Sequence, residues 1–247
     1  MPKYHFITYS DKNFALSKKR IQKEAKEFGI FSTIKAYDPS DLPNWFCKKY
    51  ADILSQPRGG GYWIWRPIVV NDTFQKMDDG DYLLFMDAGS TFNKEGMPRF
   101  YEYIKMLDDS GYGVFSFQMN GGLGERAWTT KEVFNCLNID INGEHALSGQ
   151  HVGGIFIIKK NEHGKKFMEE YMKVILDNAL LCTDYYNDKG QGSYFSDHRH
   201  EQSFTSLLKK TMGCVAIQDE TRITPFGRGE SLKYPFWATR LNYSKIV

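Results

Sequence analysis

Apolar positions along this chain switch between a period of two and a period near 3.6, and the switches mark its elements. Residues 4–9 (YHFITY) form an apolar, β-rich run, and Phe14, Leu16, Ile21, Ala25 and Phe28 then recur at roughly helical spacing until Gly29. This predicts a strand followed by a helix over 11–28. Residues 30–36 (IFSTIKA) predict a second strand, and a strand–helix–strand of this length favours a parallel unit. A polar turn at Asp38-Pro39 leads to a helix over 42–54, and Gln56-Pro57-Arg58-Gly59-Gly60-Gly61 reads as a flexible break. Pro67 suits the first turn of a helix carrying Ile68, Val69, Val70, Phe74 and Met77.

After the turn at Asp78-Asp79-Gly80, residues 81–86 (DYLLFM) predict a buried strand. A helix over 94–107, a strand over 113–117, a loop at 120–124 and a short helix over 130–137 follow. Then come a strand over 152–159, a helix over 162–178, a helix over 199–210 and a strand over 214–217. Residues 183–197, polar, aromatic and containing glycine, suit a mobile loop over a site. The tail, 221–247, is rich in aromatic and basic residues. No repeat or linker divides the chain, so one domain over 1–247 is expected. Alternating strands and helices predict an α/β fold with a mostly parallel sheet. Ligands of such sheets bind beyond the carboxyl ends of strands, which directs attention to Thr8, Tyr9 and Ser10 and to Asp87-Ala88-Gly89.

Composition narrows the function. With 41% apolar and 25% charged residues the chain is globular, and its 15% aromatic content suits either core bulk or a site that holds rings. A net charge of +2, from 32 basic and 30 acidic side chains, gives no overall field for nucleic acid. Cys47, Cys136, Cys182 and Cys214 lack CxxC spacing, which argues against zinc and suits reduced cytosolic thiols. The start, MPKYHFITYS, is no signal peptide, and no run approaches the roughly 18 apolar residues of a membrane span. A cytoplasmic protein without a transmembrane segment is expected.

Four segments carry candidate chemistry. In YLLFMDAGS, 82–90, an apolar strand delivers Asp87 where solvent begins, followed by small residues. Such a carboxylate can hold the cation of a diphosphate, or merely cap a turn. RGGGYWIWRP, 58–67, brings glycines that let a backbone approach a ligand, Arg58 and Arg66 for phosphate oxygens, and Tyr62 or Trp65 to stack on a ring. Alternatively its tryptophans fill the core and Arg66 snorkels to solvent. In SGQHVGGIFIIKK, 148–160, Gly153 and Gly154 suggest a close approach, and Gln150 and His151 could bind sugar or acceptor hydroxyls, although a lone histidine is often structural. In SDHRHEQSF, 196–204, Asp197 fits a helix N-cap, yet His198, Arg199, His200, Glu201 and Gln202 exceed what a cap requires. A carboxylate here could deprotonate an acceptor hydroxyl, with Glu201 the first candidate and Asp197 the second.

These segments in this order resemble a family of small GT-A-like glycosyltransferases of bacteria and large DNA viruses. They are similar to the chlorovirus capsid-glycan transferases, a xylosyltransferase among them. The residues that carry the resemblance are Gly61-Tyr62-Trp63-Ile64-Trp65-Arg66-Pro67, Asp87-Ala88-Gly89, Gly153-Gly154-Ile155 and Glu201-Gln202-Ser203, with Pro235-Phe236 and Arg240 near the end. The resemblance implies a GT-A fold, a nucleotide-diphosphate sugar donor (UDP-linked, UDP-xylose included), a glycan acceptor and an inverting transfer. On a glycosyltransferase reading Tyr9, Arg58, Trp65 and Arg66 are expected on the nucleotide, His198 and His200 near the acceptor, and a divalent cation, manganese or magnesium, on Asp87. Three departures stand out: Asp-Ala-Gly lacks the second carboxylate of the acidic-x-acidic motif, no histidine follows residue 200, and Arg66 replaces a lysine. The alternatives are a non-catalytic carbohydrate-binding protein and a nucleotidyltransferase, although Ser10-Asp11-Lys12-Asn13 is no glycine-rich phosphate loop.

Overall fold

The computed structural model describes residues 1–120, 122 and 124–242. Gly121 and Leu123 of the expected 120–124 loop, and the last five residues of the tail, lie outside the described residues. The strands are β1 (Tyr4–Tyr9), β2 (Phe31–Tyr37), β3 (Tyr82–Met86), β4 (Thr91–Phe92), β5 (Val114–Gln118), β6 (His151–Lys159), β7 (Val215–Gln218) and β8 (Phe236–Trp237). The helices are α1 (Ala15–Phe28), α2 (Asn44–Lys49), α3 (Ala51–Leu54), α4 (Gly59–Tyr62), α5 (Arg66–Lys76), α6 (Met97–Ser110), α7 (Lys131–Cys136), α8 (Glu144–Leu147), α9 (Glu162–Asp177) and α10 (Glu201–Met212).

The main sheet has the order β2-β1-β3-β6-β5-β7. β1 pairs in parallel with β2 and β3, and β5 with β7, whereas β6 is antiparallel to both of its neighbours. The sheet is therefore mainly parallel with one reversed central strand. Alternation along β3 shows how both faces are buried: Leu83 and Phe85 join Val70 and Phe74 of α5, Tyr171 of α9 and Phe204 of α10. Tyr82, Leu84 and Met86 face Ile21 and Phe28 of α1 and Phe100 and Tyr103 of α6. Helices on both faces explain why this strand is apolar throughout and does not alternate with polar residues.

Three local expectations are corrected. The helix expected over 42–54 breaks at Tyr50, whose φ of −115° and ψ of 26° are not helical. The expected flexible break at 56–61 is instead a tight left-handed turn in which Gly59, Gly60, Gly61, Tyr62 and Trp63 all have positive φ. A Cβ on Gly61, at φ +94°, would stand 2.7 Å from the Leu54 backbone, so glycine is required by contact as well as by conformation. Left-handed Tyr62 and Trp63 are costly for bulky side chains, and such strain is held where surrounding contacts demand it. Finally, the 183–197 segment is anchored to the body, since Gln191 Nε2 donates to Glu132 at 2.8 Å and Lys131 N donates to Gln191 Oε1 at 2.9 Å.

The tail returns to the sheet. β8 pairs with β4, Leu241 N donates to Gly89 O at 2.9 Å, and Ala238 N donates to Thr221 O at 2.8 Å. Two stretches near the end of the chain thus reach the loop that follows β3. Among the described residues, no helix is long and apolar enough to cross a membrane.

Candidate active site

A cleft of about 500 Å³ opens at the carboxyl ends of β1 and β3, where an α/β sheet is expected to receive its ligand. β1 ends in Tyr9, whose ring stacks on Trp65 at 3.7 Å between centroids and 19° between planes. Trp65 Nε1 donates to Gly59 O at 2.9 Å, which pins the left-handed turn against the cleft. Trp63 lines the same wall.

β3 delivers Asp87 to the floor. Gly154 on β6 makes room for it, because a Cβ there would fall 2.3 Å from Asp87 Oδ2. Gly153 does the same for Gln202, whose side chain would lie 2.9 Å from its Cβ. The close approach expected at this glycine pair is therefore to the site's own side chains. Asp87 keeps 43% of its side-chain surface open to the cleft but lies deep within surrounding protein. That depth raises its pKa, against the opposing pull of Arg66 and Arg240.

Arg66 is the hub beneath the floor. Its Nη2 donates to Asp87 Oδ1 at 3.2 Å and its Nη1 donates to Glu201, whose other oxygen accepts from the Tyr171 hydroxyl. Arg66 is 3% exposed and Glu201 is fully buried. Charge at the cleft is lopsided: among the described residues, Arg58, Arg66, Arg199, Arg222 and Arg240 line it, with Asp11 and Asp87 as the carboxylates.

Of the residues expected at the site, Tyr9, Arg58, Trp65, Arg66, Asp87, Ala88, Gly89, Gln150, Gly154 and His200 line the cleft. Others do not: Glu201, His151, His198 and Thr8 are buried, half-buried Asp197 and Tyr62 are engaged elsewhere, and Gly153 is covered by Gln202. Glu201 is enclosed by Arg66 and Tyr171, so it positions Arg66 and does not face an acceptor. Asp197 does not cap α10; it accepts from Arg58 Nη2 at 2.8 Å. His151 is buried beside Cys214, with Nδ1 3.8 Å from its sulfur. His198 is fully buried against Leu181 O, 2.9 Å from Nε2. Thr8 is buried with its hydroxyl unpartnered, and Tyr62 stacks on the His200 ring at 5.0 Å. Gln150 lines the cleft with its amide already committed: Nε2 donates to Glu125 at 2.7 Å and Oε1 accepts from Gln202. Sequence reasoning missed Asp11, Trp63, Trp128 and Arg222 as cleft residues, and it noted Arg199, Gln202 and Arg240 without giving them a role there; three of these residues, Arg199, Arg222 and Arg240, are arginines. The basic, aromatic character of the tail was the available signal for two of them.

Among solved structures, the chain is similar to a glycosyltransferase involved in the glycosylation of the major capsid of PBCV-1. The identity is 9%, the alignment covers 96% of this chain and 94% of that one, and the TM-score is 0.50. The fold is that of the GT-A glycosyltransferases. Mouse xyloside xylosyltransferase 1, in its apo form, aligns at 9% identity over 87% of this chain and 84% of that one, with a TM-score of 0.47. No protein-family model and no curated protein matches the sequence. At these identities the likeness is one of fold, and the chemistry must be argued from the cleft.

The buried histidines beneath the GT-A cleft give a pH prediction. Burial pushes the pKa of His200 down to about 4, that of His198 to about 3 and that of His151 to about 2, with Lys209 and Lys210 adding to the last. Unfolded imidazoles take up protons near 6.5. The unfolded chain therefore binds more protons as pH falls below about 6.5, and each histidine then costs about 1.4 kcal/mol of stability per pH unit until its folded pKa is reached. Denaturant unfolding at pH 7, 6 and 5 is expected to show stability falling with pH. A flat profile would show that these imidazoles take up protons in the folded protein as readily as in the unfolded chain.

Proposed function

We propose that the protein is a glycosyltransferase that moves a sugar from a nucleoside-diphosphate donor, a UDP-sugar, to a glycan hydroxyl with inversion at the anomeric carbon. The observation that carries this reading is the make-up of the cleft: an arginine-rich lining, one deep carboxylate, Asp87, and half-buried Trp63 and Trp128 beside the packed Tyr9–Trp65 pair. A half-buried indole offers flat apolar surface to a base or sugar ring. Transfer from such a donor releases a diphosphate, whose developing charge requires fixed cations in a cleft that limits water.

Asp87 takes the role first expected of Glu201. The acceptor oxygen attacks the anomeric carbon, the bond to the diphosphate oxygen breaks with its electron pair, and the acceptor proton passes to the Asp87 carboxylate. Depth in the cleft raises the Asp87 pKa, which strengthens it as a proton acceptor. Arg66 fixes its orientation through Oδ1. A carbohydrate-binding module has no need of so many cationic side chains around its sugar.

A thermal-shift screen tests the reading. UDP, UDP-xylose and other UDP-sugars are expected to stabilise the protein, whereas ATP and NAD are not. A ligand at 100 times its dissociation constant adds about 2.7 kcal/mol, or roughly 5–10 °C in Tm for a chain of this size. Equal or absent shifts across all nucleotides would remove the glycosyltransferase reading.

A further inference from the structure

The divalent cation expected at Asp87 meets an unfavourable donor set. Oδ1 already accepts from Arg66, and Arg240 adds its positive field to the same carboxylate. Among the described residues, no group of three or more His, Cys, Asp or Glu side chains could hold a metal. Magnesium bound through one carboxylate and substrate phosphates is common, but here the dication would sit against two guanidinium groups. Asp87 and its neighbours therefore do not fit a metal site.

The same cleft holds another source of positive charge. We propose that Arg199, Arg222 and Arg240 form a metal-independent clamp on the diphosphate of the donor. This rests on the glycosyltransferase reading for the identity of the ligand, but not for its anionic chemistry. Arg58 and Arg66 are neutralised by Asp184, Asp197, Asp87 and Glu201. Arg199 lies instead over the Trp128 ring, 4.0 Å from its centroid. Stacking occupies the face of a guanidinium and leaves its N–H edge for oxygen ligands. Trp128 also lines the cleft, and its indole N–H is buried without a partner.

Arg222 stands 3.4 Å from Asp219 through Nε, which is itself buried without a hydrogen bond. Arg240 is exposed at the rim, on the strand of chain that Leu241 ties to Gly89. The hydrogen bond from Ala238 N to Thr221 O holds the two tail segments side by side, and so brings both arginines to one cleft. These cations repel one another. Burial lowers the Arg199 pKa against the opposing pull of Asp197, and Arg58, Arg240 and Arg222 push it further down; burial lowers that of Arg222 against its ion-pair partner Asp219, with Arg240 adding to the fall. Guanidinium groups gathered against their own repulsion are relieved by a polyanion, and their planar forks match phosphate oxygens.

Calorimetry with UDP and with inorganic pyrophosphate, each in EDTA and in manganese, tests the clamp. The wild-type protein is expected to bind both probes in EDTA, with no gain from manganese. Arg222→Ala and Arg240→Ala are each expected to lose roughly 10–100-fold in affinity, and Arg240→Lys to recover part of the loss. Arg240 is exposed, so its variants keep the proposal testable should Arg222→Ala fail to fold. Binding of UDP only with manganese overturns the clamp and leaves the proposed function standing, as does wild-type affinity in Arg240→Ala. Binding of pyrophosphate without UDP sinks the UDP-sugar reading and leaves the clamp. No binding of either probe in either condition overturns both.

Discussion

Asp87→Asn is expected to lower sugar transfer by roughly 10²–10⁴-fold while leaving UDP binding and the fold in place. The side chain lies at the open floor of the cleft, and an asparagine oxygen can still accept from Arg66. The amide cannot take the acceptor proton. Because cleft depth raises the Asp87 pKa from its ordinary value, the wild-type rate should fall as pH drops through that raised pKa. The sign follows from the role: a base works only when ionised, and acid protonates it. Asp87→Asn should lose this acid limb together with the rate. Steady-state kinetics across pH, with product stereochemistry by NMR, reads both effects. Wild-type transfer by Asp87→Asn would reduce this carboxylate to a turn residue, and retention of the donor's anomeric configuration would remove the single-displacement step.

The second large effect is on stability. Glu201→Gln removes the buried negative charge that Arg66 donates to, and the glutamine amide must also satisfy the Tyr171 hydroxyl. Breaking a buried ion pair from one side costs about 3–5 kcal/mol, because the surviving charge is left without its partner. For a chain of this length that is a fall in Tm on the order of 10 °C. Arg66→Ala should be no milder, since it strands Glu201 and loosens Asp87 at once. Transfer will also suffer in Glu201→Gln through the displaced Arg66, so activity alone does not separate positioning from catalysis. The melting temperature does. A Glu201→Gln protein that melts like wild type yet transfers no sugar would return Glu201 to the role of base.

Much of the architecture was written in local patterns. The periods of apolar residues located β1, β2, β3, β5 and β6 and the long helices to within a few residues, because a strand or helix with one covered face must repeat at its own period. The placement of Asp87 was equally legible: an apolar run ending in a carboxylate and two small residues puts that carboxylate at a strand's end, where such sheets bind ligands. For the tryptophan block both readings met in part: Trp65 and Arg66 border the cleft, yet Trp65 packs in the core and Arg66 is buried and does not snorkel to solvent. The parallel pairing of β1 with β2 was legible in the strand–helix–strand spacing, but the reversal of β6 was not, since the same apolar run suits either sense and its antiparallel course depends on how the preceding loops cross the sheet.

What only the tertiary structure decided is which polar side chains meet solvent. Glu201 and Asp87 both read as available carboxylates, yet one lies sealed against Arg66, a residue 135 positions away in the chain, and the other keeps part of its side chain open to the cleft. A buried charge is tolerated only where a partner waits for it, and that partner is set by packing between α5, α9 and α10, not by neighbours in sequence. The same holds for His151 and His198, and in the opposite sense for Arg222 and Arg240. Arg222 was not singled out and Arg240 entered only through the resemblance, because both lie far along the chain from the other cleft residues; the pairing of the tail with the loop after β3 brings them to the cleft.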